Sequence, residues 1–333
     1  MPSALDILHH DTLTQVVNLF KFPQLILQNL LFPPRNIQGD TAKWDQLDPK
    51  REVGQFVPHG APSHRVALEP IKQQIARCLK FYENKALSGD FLNILREPGT
   101  EQFNARAEIT REQESLARRN ARLKEWAISQ ALRGTLTVAQ DDVRVSVDYS
   151  FDSDHEASVS ATWATTTTDI PKDINTWKRL IAQDSGYTPG IVLTSSKTRE
   201  YLLSNDNVKD LMGEGTVKEQ MGLEGDIGRF MGLTWIFYDA GYKTTAGTFT
   251  RYLPDDDLFI VPVKDEIAEV CEMQVGTVPV PSMEGKDVTM VQGQASYADV
   301  VKDPVGLTIW LCENWLPCIL VPDAFVFVDD LTP

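Results

Sequence analysis

Between Pro98-Gly99 and Gly134 runs a stretch, Gln102 to Arg133, with neither glycine nor proline and made mostly of Ala, Arg, Glu, Gln, Leu and Lys. Strong helix formers bounded by breakers predict one continuous helix over 102–133, about 48 Å long at the α-helical rise. Few folds accommodate such a rod. Its large apolar residues are sparse: Phe103, Ile109, Leu116, Leu123, Trp126, Ile128 and Leu132, with alanines at 105, 107, 117, 121, 127 and 131. Arginines, lysine and glutamates from Arg106 to Glu125 occupy the other faces, so only a thin strip can be buried. A rod like this lies across a sheet or between neighbours. The alternative is a coiled coil: Ile109, Leu116 and Leu123 keep one heptad position, but Gln113 and Asn120 fall where the companion apolar residues would sit.

A chain of 333 residues, 42% hydrophobic and 24% charged, has room for two or three modules and a real core. Its net charge of -15 argues against a protein that grips phosphate backbones through its own field. It suits high solubility, or a surface that repels enclosed nucleic acid. Cys78, Cys271, Cys312 and Cys318 show no zinc or redox spacing, and free thiols in a reducing cytoplasm are expected. The N-terminus lacks the basic and apolar regions of a signal peptide, and no segment has the apolar length of a membrane helix.

Residues 1–35 carry scattered apolar side chains and then the run Leu25 to Phe32, LILQNLLF, stopped by Pro33-Pro34. This segment is too apolar to float free and too short for a core of its own, so it reads as an arm that packs on something else. His9-His10 supplies two metal donors without a third in range and reads as a solvated pair. Residues 36–69 place glycine, proline and charge at close intervals with a period of two at best, as in a long, mobile β-hairpin. A loop of that length is uncommon unless it works on a partner. His59 and His64 lie in it without the acid of an HExxH-type motif. Residues 70–97 read as extended and then helical.

After the helix, Thr135–Val138 and Val143–Tyr149 alternate as two half-buried strands. Asp152, Asp154, His155 and Glu156 lack the glycine and distal Glu of a calcium loop and read as a solvated turn. A second module starts near Asp169. Its features are a helix through Ile174, Trp177, Leu180 and Ile181, a strand Gly190–Thr194, helical Ser196–Leu203 and Asn207–Met212, and a strand Leu233–Tyr238. Gly213, Gly215, Gly222, Gly225, Gly228 and Gly232 follow no phosphate-loop spacing. Thr248–Leu253 and Leu258–Val263 flank Pro254-Asp255-Asp256-Asp257 as a hairpin or tight connection. From Val275 on the chain is extended, and Thr308–Leu316, Cys318–Val321 and Phe325–Val328 are expected to return to the sheet that carries the long helix.

Several stretches, taken in this order, resemble the major capsid proteins of lambda-type tailed phages, the phage capsid E family. They are Glu52–Pro58 with Pro62–Val66, the long helix with its Gly134 exit, Arg251–Ile260 (RYLPDDDLFI), and Asp303-Pro304 with the Leu320–Val326 ending. The resemblance covers nearly the whole chain and is carried by order and spacing more than by any one motif. It implies an α+β fold of the Hong Kong ninety-seven capsid type. By that analogy residues 1–35 are an N-terminal arm and 36–75 an extended loop. Residues 76–165 with 275–333 form a peripheral domain built on the spine helix, and 166–274 form an axial domain.

The implied function is a non-enzymatic shell subunit, assembling with itself into the pentamers and hexamers of an icosahedral head. The head encloses double-stranded DNA without sequence-specific binding, and portal and decoration or scaffold proteins are the further partners. Its place is the virion capsid, assembled in the host cytoplasm; no cofactor, metal or membrane is implied. Parts without a core of their own find cover on identical neighbours. Leu25, Ile26, Leu30 and Phe32 of the arm and Val53, Phe56 and Val57 of the loop are therefore the expected inter-subunit contacts. Arg118, Arg119 and Arg122 of the helix are expected to set register between subunits, and removing residues 1–35 to leave folded subunits that form no shells. Two rivals remain: a metal-dependent hydrolase using Asp255–Asp257 with Asp239 or Glu266, and another virion component such as a tail or decoration protein.

Overall fold

The computed structural model describes residues 8–47, 71–88, 100–140, 143–212, 227–244, 246–281, 287–302 and 305–332, together with 53, 56, 57 and 59. The arm begins with the amphipathic helix α1 (His10–Asn18), which buries Leu13 and Val17. The short helix α2 (Ile26–Leu31) buries Leu27 and Leu31, and Pro33 ends it because proline cannot continue a helix. The strand β1 (Pro34–Asn36) follows. Strand β2 (Thr41–Leu47) alternates buried and exposed side chains and pairs antiparallel with β3 (Ile71–Arg77), from Thr41 opposite Arg77 to Leu47 opposite Ile71. These two strands form a hairpin of the kind expected for the loop. Strand β4 (Leu79–Ser88) comes next; the helical continuation expected before Pro98 lies outside the described residues.

The long helix α3 (Thr100–Ala131) spans 32 residues and starts two residues earlier than its composition suggests. It ends where Gly134 takes φ 85°, a backbone region that costs a residue with a Cβ far more. The hairpin β5 (Thr135–Gln140) and β6 (Val143–Asp148) follows, then the two-residue strand β7 (Glu156–Ala157). In the second module α4 (Ile170–Asp184) starts as expected: Asp169 accepts the Lys172 N–H and Pro171 sits in the first turn. Strand β8 (Pro189–Thr194) and helices α5 (Ser196–Ser204) and α6 (Asp206–Met212) come next. They are followed by β9 (Ile227–Phe230), β10 (Leu233–Phe237), β11 (Gly241–Lys243), β12 (Phe249–Arg251) and β13 (Leu258–Pro262). The chain closes with α7 (Ile267–Val270), β14 (Cys271–Val275), β15 (Thr277–Pro281), β16 (Val288–Gln292), β17 (Ala295–Lys302), β18 (Val305–Ile319) and β19 (Val326–Val328). Of the glycines weighed for a phosphate loop, Gly213, Gly215, Gly222 and Gly225 lie outside the described residues.

Two sheets organise the molecule. The first runs β1-β14-β18-β17 with β4 also on β18. The 15-residue β18 is its axis: its first half lies between β17 and β4 and its end pairs with β14. The second sheet runs β7-β19-β13-β8-β10-β9 and encloses a separate core around Trp163, Trp177 and Trp235. The expectation that Phe325–Val328 rejoins the sheet under the long helix is corrected here. Strand β19 pairs with β13 and β7 instead, because Val326, Val328 and Leu331 complete the second core. The segment Pro254–Asp257 is a tight connection between two sheets, since β12 pairs with β11 while β13 pairs with β8 and β19.

Helix α3 lies across the first sheet, and the residues that spoke against a coiled coil are the ones that key it there. Gln113 and Asn120 are both 1% exposed. The Gln113 amide donates to the Leu13 carbonyl at 3.2 Å and to Ser296 Oγ at 2.9 Å, tying helix, arm and sheet at one point. Asn120 donates to Glu313 of β18 and accepts the Trp315 indole N–H at 3.1 Å. Lys124 closes on the same Glu313 at 2.7 Å, with both side chains buried.

The arm is part of this body. Leu25 and Phe32 are 6% and 1% exposed within the chain's own core, and β1 runs parallel to β14, with Arg35 pairing to the buried Glu272 at 2.9 Å. The expectation that Leu25 and Phe32 wait for a neighbour is therefore corrected: they find cover on α3 and the first sheet. Removing residues 1–35 would take away most of β1 and several core side chains, so the truncated subunit is expected to be less stable than the whole one.

Breaking the buried pair with Lys124→Met leaves the Glu313 carboxylate without its cation and is expected to cost about 3–5 kcal/mol. The double variant Lys124→Met/Glu313→Leu is expected to lose less than the single one, in urea unfolding of the soluble subunit.

Candidate assembly surfaces

With most of the arm folded back and only Leu19 of it strongly exposed, the larger groups of exposed apolar side chains are found elsewhere. Val53 is 91% exposed, Phe56 105% and Val57 43%, apolar surface that gains free energy when it is covered. The β2–β3 hairpin adds Leu47, Ile71 and Ile75. Strand alternation explains this, since β2 turns Ala42, Trp44 and Gln46 inward while Ile71 and Ile75 share one outer face of β3. The i, i+4 spacing of Ile71 and Ile75 in an extended segment was the available signal, and sequence reasoning passed it over. A second exposed pair, Val288 and Met290, lies on β16 of the hairpin it forms with β15. Ile26 and Leu30 are half-buried against the chain's own core.

The three arginines of the helix divide. Arg118 pairs with Glu114 one turn away at 2.6 Å and covers the Phe22 ring. Arg119 is forked onto Glu83 of β4, with Nη2 to Oε1 at 2.9 Å. Arg122 is exposed and forms no ion pair among the described residues. Of the three it is the one with its charge left to offer a neighbour.

The carboxylates weighed as a hydrolytic centre are each held by a different partner. Asp257 is buried and held by Arg133 at 2.8 Å, just past the end of α3; burial pushes its carboxyl up, and Arg133 acts against this. Asp256 pairs with Lys197 at 3.0 Å and Asp255 with Arg251. Asp239 accepts the Ser196 N–H at 3.0 Å, and Glu266 accepts the Thr188 N–H at 2.8 Å. Each has its own structural partner, and the Arg133–Asp257 contact joins the long helix to the second module.

Two histidine readings change. His155 is no part of a solvated turn: it is 1% exposed, with Nδ1 2.7 Å from the Phe325 carbonyl and Nε2 3.3 Å from Asp184. His9 and His10 do acquire a third donor, Asp11, the three ligand atoms lying within 4.8 Å of one another. They occupy the first turn of α1, where backbone N–H groups oppose a cation, and His9 Nδ1 already accepts the Asp11 N–H. His9 is the helix cap, and the Asp11 carboxylate lies against both imidazoles. All four cysteines are free and buried.

The subunit is thus a long helix keyed across a sheet, a two-stranded hairpin carrying exposed apolar residues, and a second α/β body joined to the helix exit by the Arg133–Asp257 ion pair. The fold matches a prophage capsid protein from E. coli CFT073 at TM-score 0.65 and 13% identity, covering 96% of this chain and 98% of that one. It also matches a phage-related protein from Bordetella bronchiseptica RB50 at TM-score 0.60 and 15% identity, with 97% and 98% covered. The capsid of a native GTA particle matches at TM-score 0.54 and 11% identity over 93% and 91%. No curated sequence matches the chain. The family pattern "Phage major capsid protein E" matches residues 10–299, and the chain belongs to that family. It is a major capsid protein of a tailed-phage head and a component of the virion capsid.

Because Asp257 is buried and Asp255 is not, Asp257→Ala is expected to destabilise the subunit by about 3 kcal/mol. Asp255→Ala is expected to cost under about 1 kcal/mol. Thermal unfolding of the two variants measures the difference.

Proposed function

We propose that copies of this chain close into pentamers and hexamers of an icosahedral shell around packaged double-stranded DNA, and that the β2–β3 hairpin is the main reaching element. The exposed Val53, Phe56 and Val57 carry this reading, together with Ile71 and Ile75 on the same hairpin. Burying an apolar side chain of this size on a neighbour is worth about 1.5–3 kcal/mol. Repetition of such contacts around a closed shell turns modest energies into a stable particle. Arg122, and at smaller weight Ile26 and Leu30, join the contact set; Arg118 and Arg119 act through the pairs they already hold within the chain.

Residues 1–35 act as the arm and 36–75 as the extended loop. The peripheral domain comprises 76–165 and 275–333, and the axial domain comprises 166–274. The pairing of β7 and β19 supports counting 153–165 and 322–332 with the axial body. The net charge of -15 favours a lining on which duplex DNA slides without sequence-specific binding. Portal and decoration or scaffold proteins are the further partners, and assembly takes place in the host cytoplasm. The role is structural and not enzymatic: every carboxylate weighed for chemistry is engaged in holding the fold.

Electron microscopy of the purified protein alone tests the reading, with closed icosahedral particles expected. Tubes would favour a tail protein, and small discrete oligomers would overturn the shell. Replacing Val53, Phe56 and Val57 together by serine is expected to leave the circular dichroism and unfolding midpoint unchanged while abolishing closed particles in the same images.

A further inference from the structure

The arm, the long helix and the second module meet at one buried carboxyl group. Glu125 of α3 is 0% exposed. Its Oε1 accepts the Gln28 N–H at 3.3 Å, with the Leu27 N–H alongside. These are the second and third N–H groups of α2, whose own cap residue Leu25 offers no side-chain hydrogen bond. The arm helix is thus capped from another element of the chain. The opposite oxygen, Oε2, has no hydrogen-bond partner, and neither do the buried hydroxyls of Tyr238 and Tyr252. Both tyrosines come from the second module and feel the charge of Glu125. The Tyr238 hydroxyl also lies by the Ile26 backbone without closing a bond of ordinary geometry.

The charged neighbours are committed elsewhere. Lys124 is closed on Glu313, and Arg122 is exposed and acts on Tyr252. Tyr242 stands beyond Tyr252. The described residues of α2 carry no titratable side chain, and at its far end the Cys271 thiol donates to the Leu31 carbonyl at 2.8 Å. Ionised Glu125 would therefore sit in the core with one backbone N–H at bonding distance and no cation, a costly state. Protonated, it sheds the uncompensated charge and still accepts from Gln28.

We propose that Glu125 is a proton-stabilised latch on the arm: the protonated carboxyl holds the start of α2 against the long helix and the second module, and ionisation weakens that hold. Burial pushes the carboxyl from its ordinary value of 4.5 up to about 8. When the arm lifts and the group meets water, it returns to the ordinary value. The docked state therefore keeps a proton that the lifted state loses, and docking weakens as pH rises between those two values, levelling off above the upper one. Each pH unit inside the window is worth up to a tenfold change in the opening equilibrium. The latch is a property of the single subunit and stands apart from how shells assemble.

Hydrogen exchange of the full-length subunit tests this. Wild type and Glu125→Gln are compared at each pH, so that the intrinsic chemistry of exchange cancels in their ratio. Over residues 20–32 the wild-type to variant exchange ratio is expected to rise at least tenfold from pH 5.5 to 7.5, while over β8 it stays flat. The glutamine arm is expected to remain docked throughout. A ratio independent of pH over residues 20–32 overturns the latch. Should the variant fold poorly, residues 20–32 are compared with β8 within the wild type. A flat ratio there overturns it equally.

Discussion

Glu313 is the charge on which the docking of the subunit depends. A carboxylate in the middle of a buried strand is tolerable only with a cation and hydrogen bonds in place. Lys124 and Asn120 supply them from one face of the long helix. Because both donors come from the same helix at a four-residue spacing, sliding the helix by a single residue would break both contacts. An apolar stripe alone would tolerate such a slip. The polar key converts a sparse hydrophobic seam into a unique register, and Gln113 extends it to the arm.

That rigidity decides where assembly surfaces are found. Leu25, Leu27, Leu31 and Phe32 complete the chain's own core, so the arm is a built-in part of the platform. Surface charge is paired off locally, as at Arg118–Glu114 and Arg119–Glu83, and such exposed pairs contribute little to stability. The apolar surface left exposed includes clustered side chains on the β2–β3 hairpin and the pair Val288 and Met290. A shell subunit needs this division: a body stable alone, and contacts that gain value only when repeated around it.

The two bodies are joined by a few polar contacts between apolar cores. Asp257 ties the exit of the long helix to the second module through Arg133. His155 ties a turn after the β5–β6 hairpin to Phe325 and to the end of α4. Glu125 faces the tyrosines of the second module from the long helix. Buried polar groups placed at a junction fix direction better than apolar contact does, and one that can change its charge makes the junction responsive.

Much of this organisation was legible along the chain. A breaker-free run of helix formers determined α3 to within two residues, alternation marked β5 and β6, a short apolar run marked β8, and turn residues placed the boundaries, because these signals are local. Family order then supplied the architecture. What the chain order did not contain was the partner of each polar or apolar group. Gln113 and Asn120 read as polar breaks in the helix's apolar seam and Glu125 as one more charge outside it, and only the sheet 190 or so positions away, the folded-back arm and the second module turn them into a key and a latch. Likewise an apolar arm and an apolar loop read the same in sequence. Tertiary structure covered one and left the other exposed, since burial depends on which surfaces meet across long separations and composition carries no record of that.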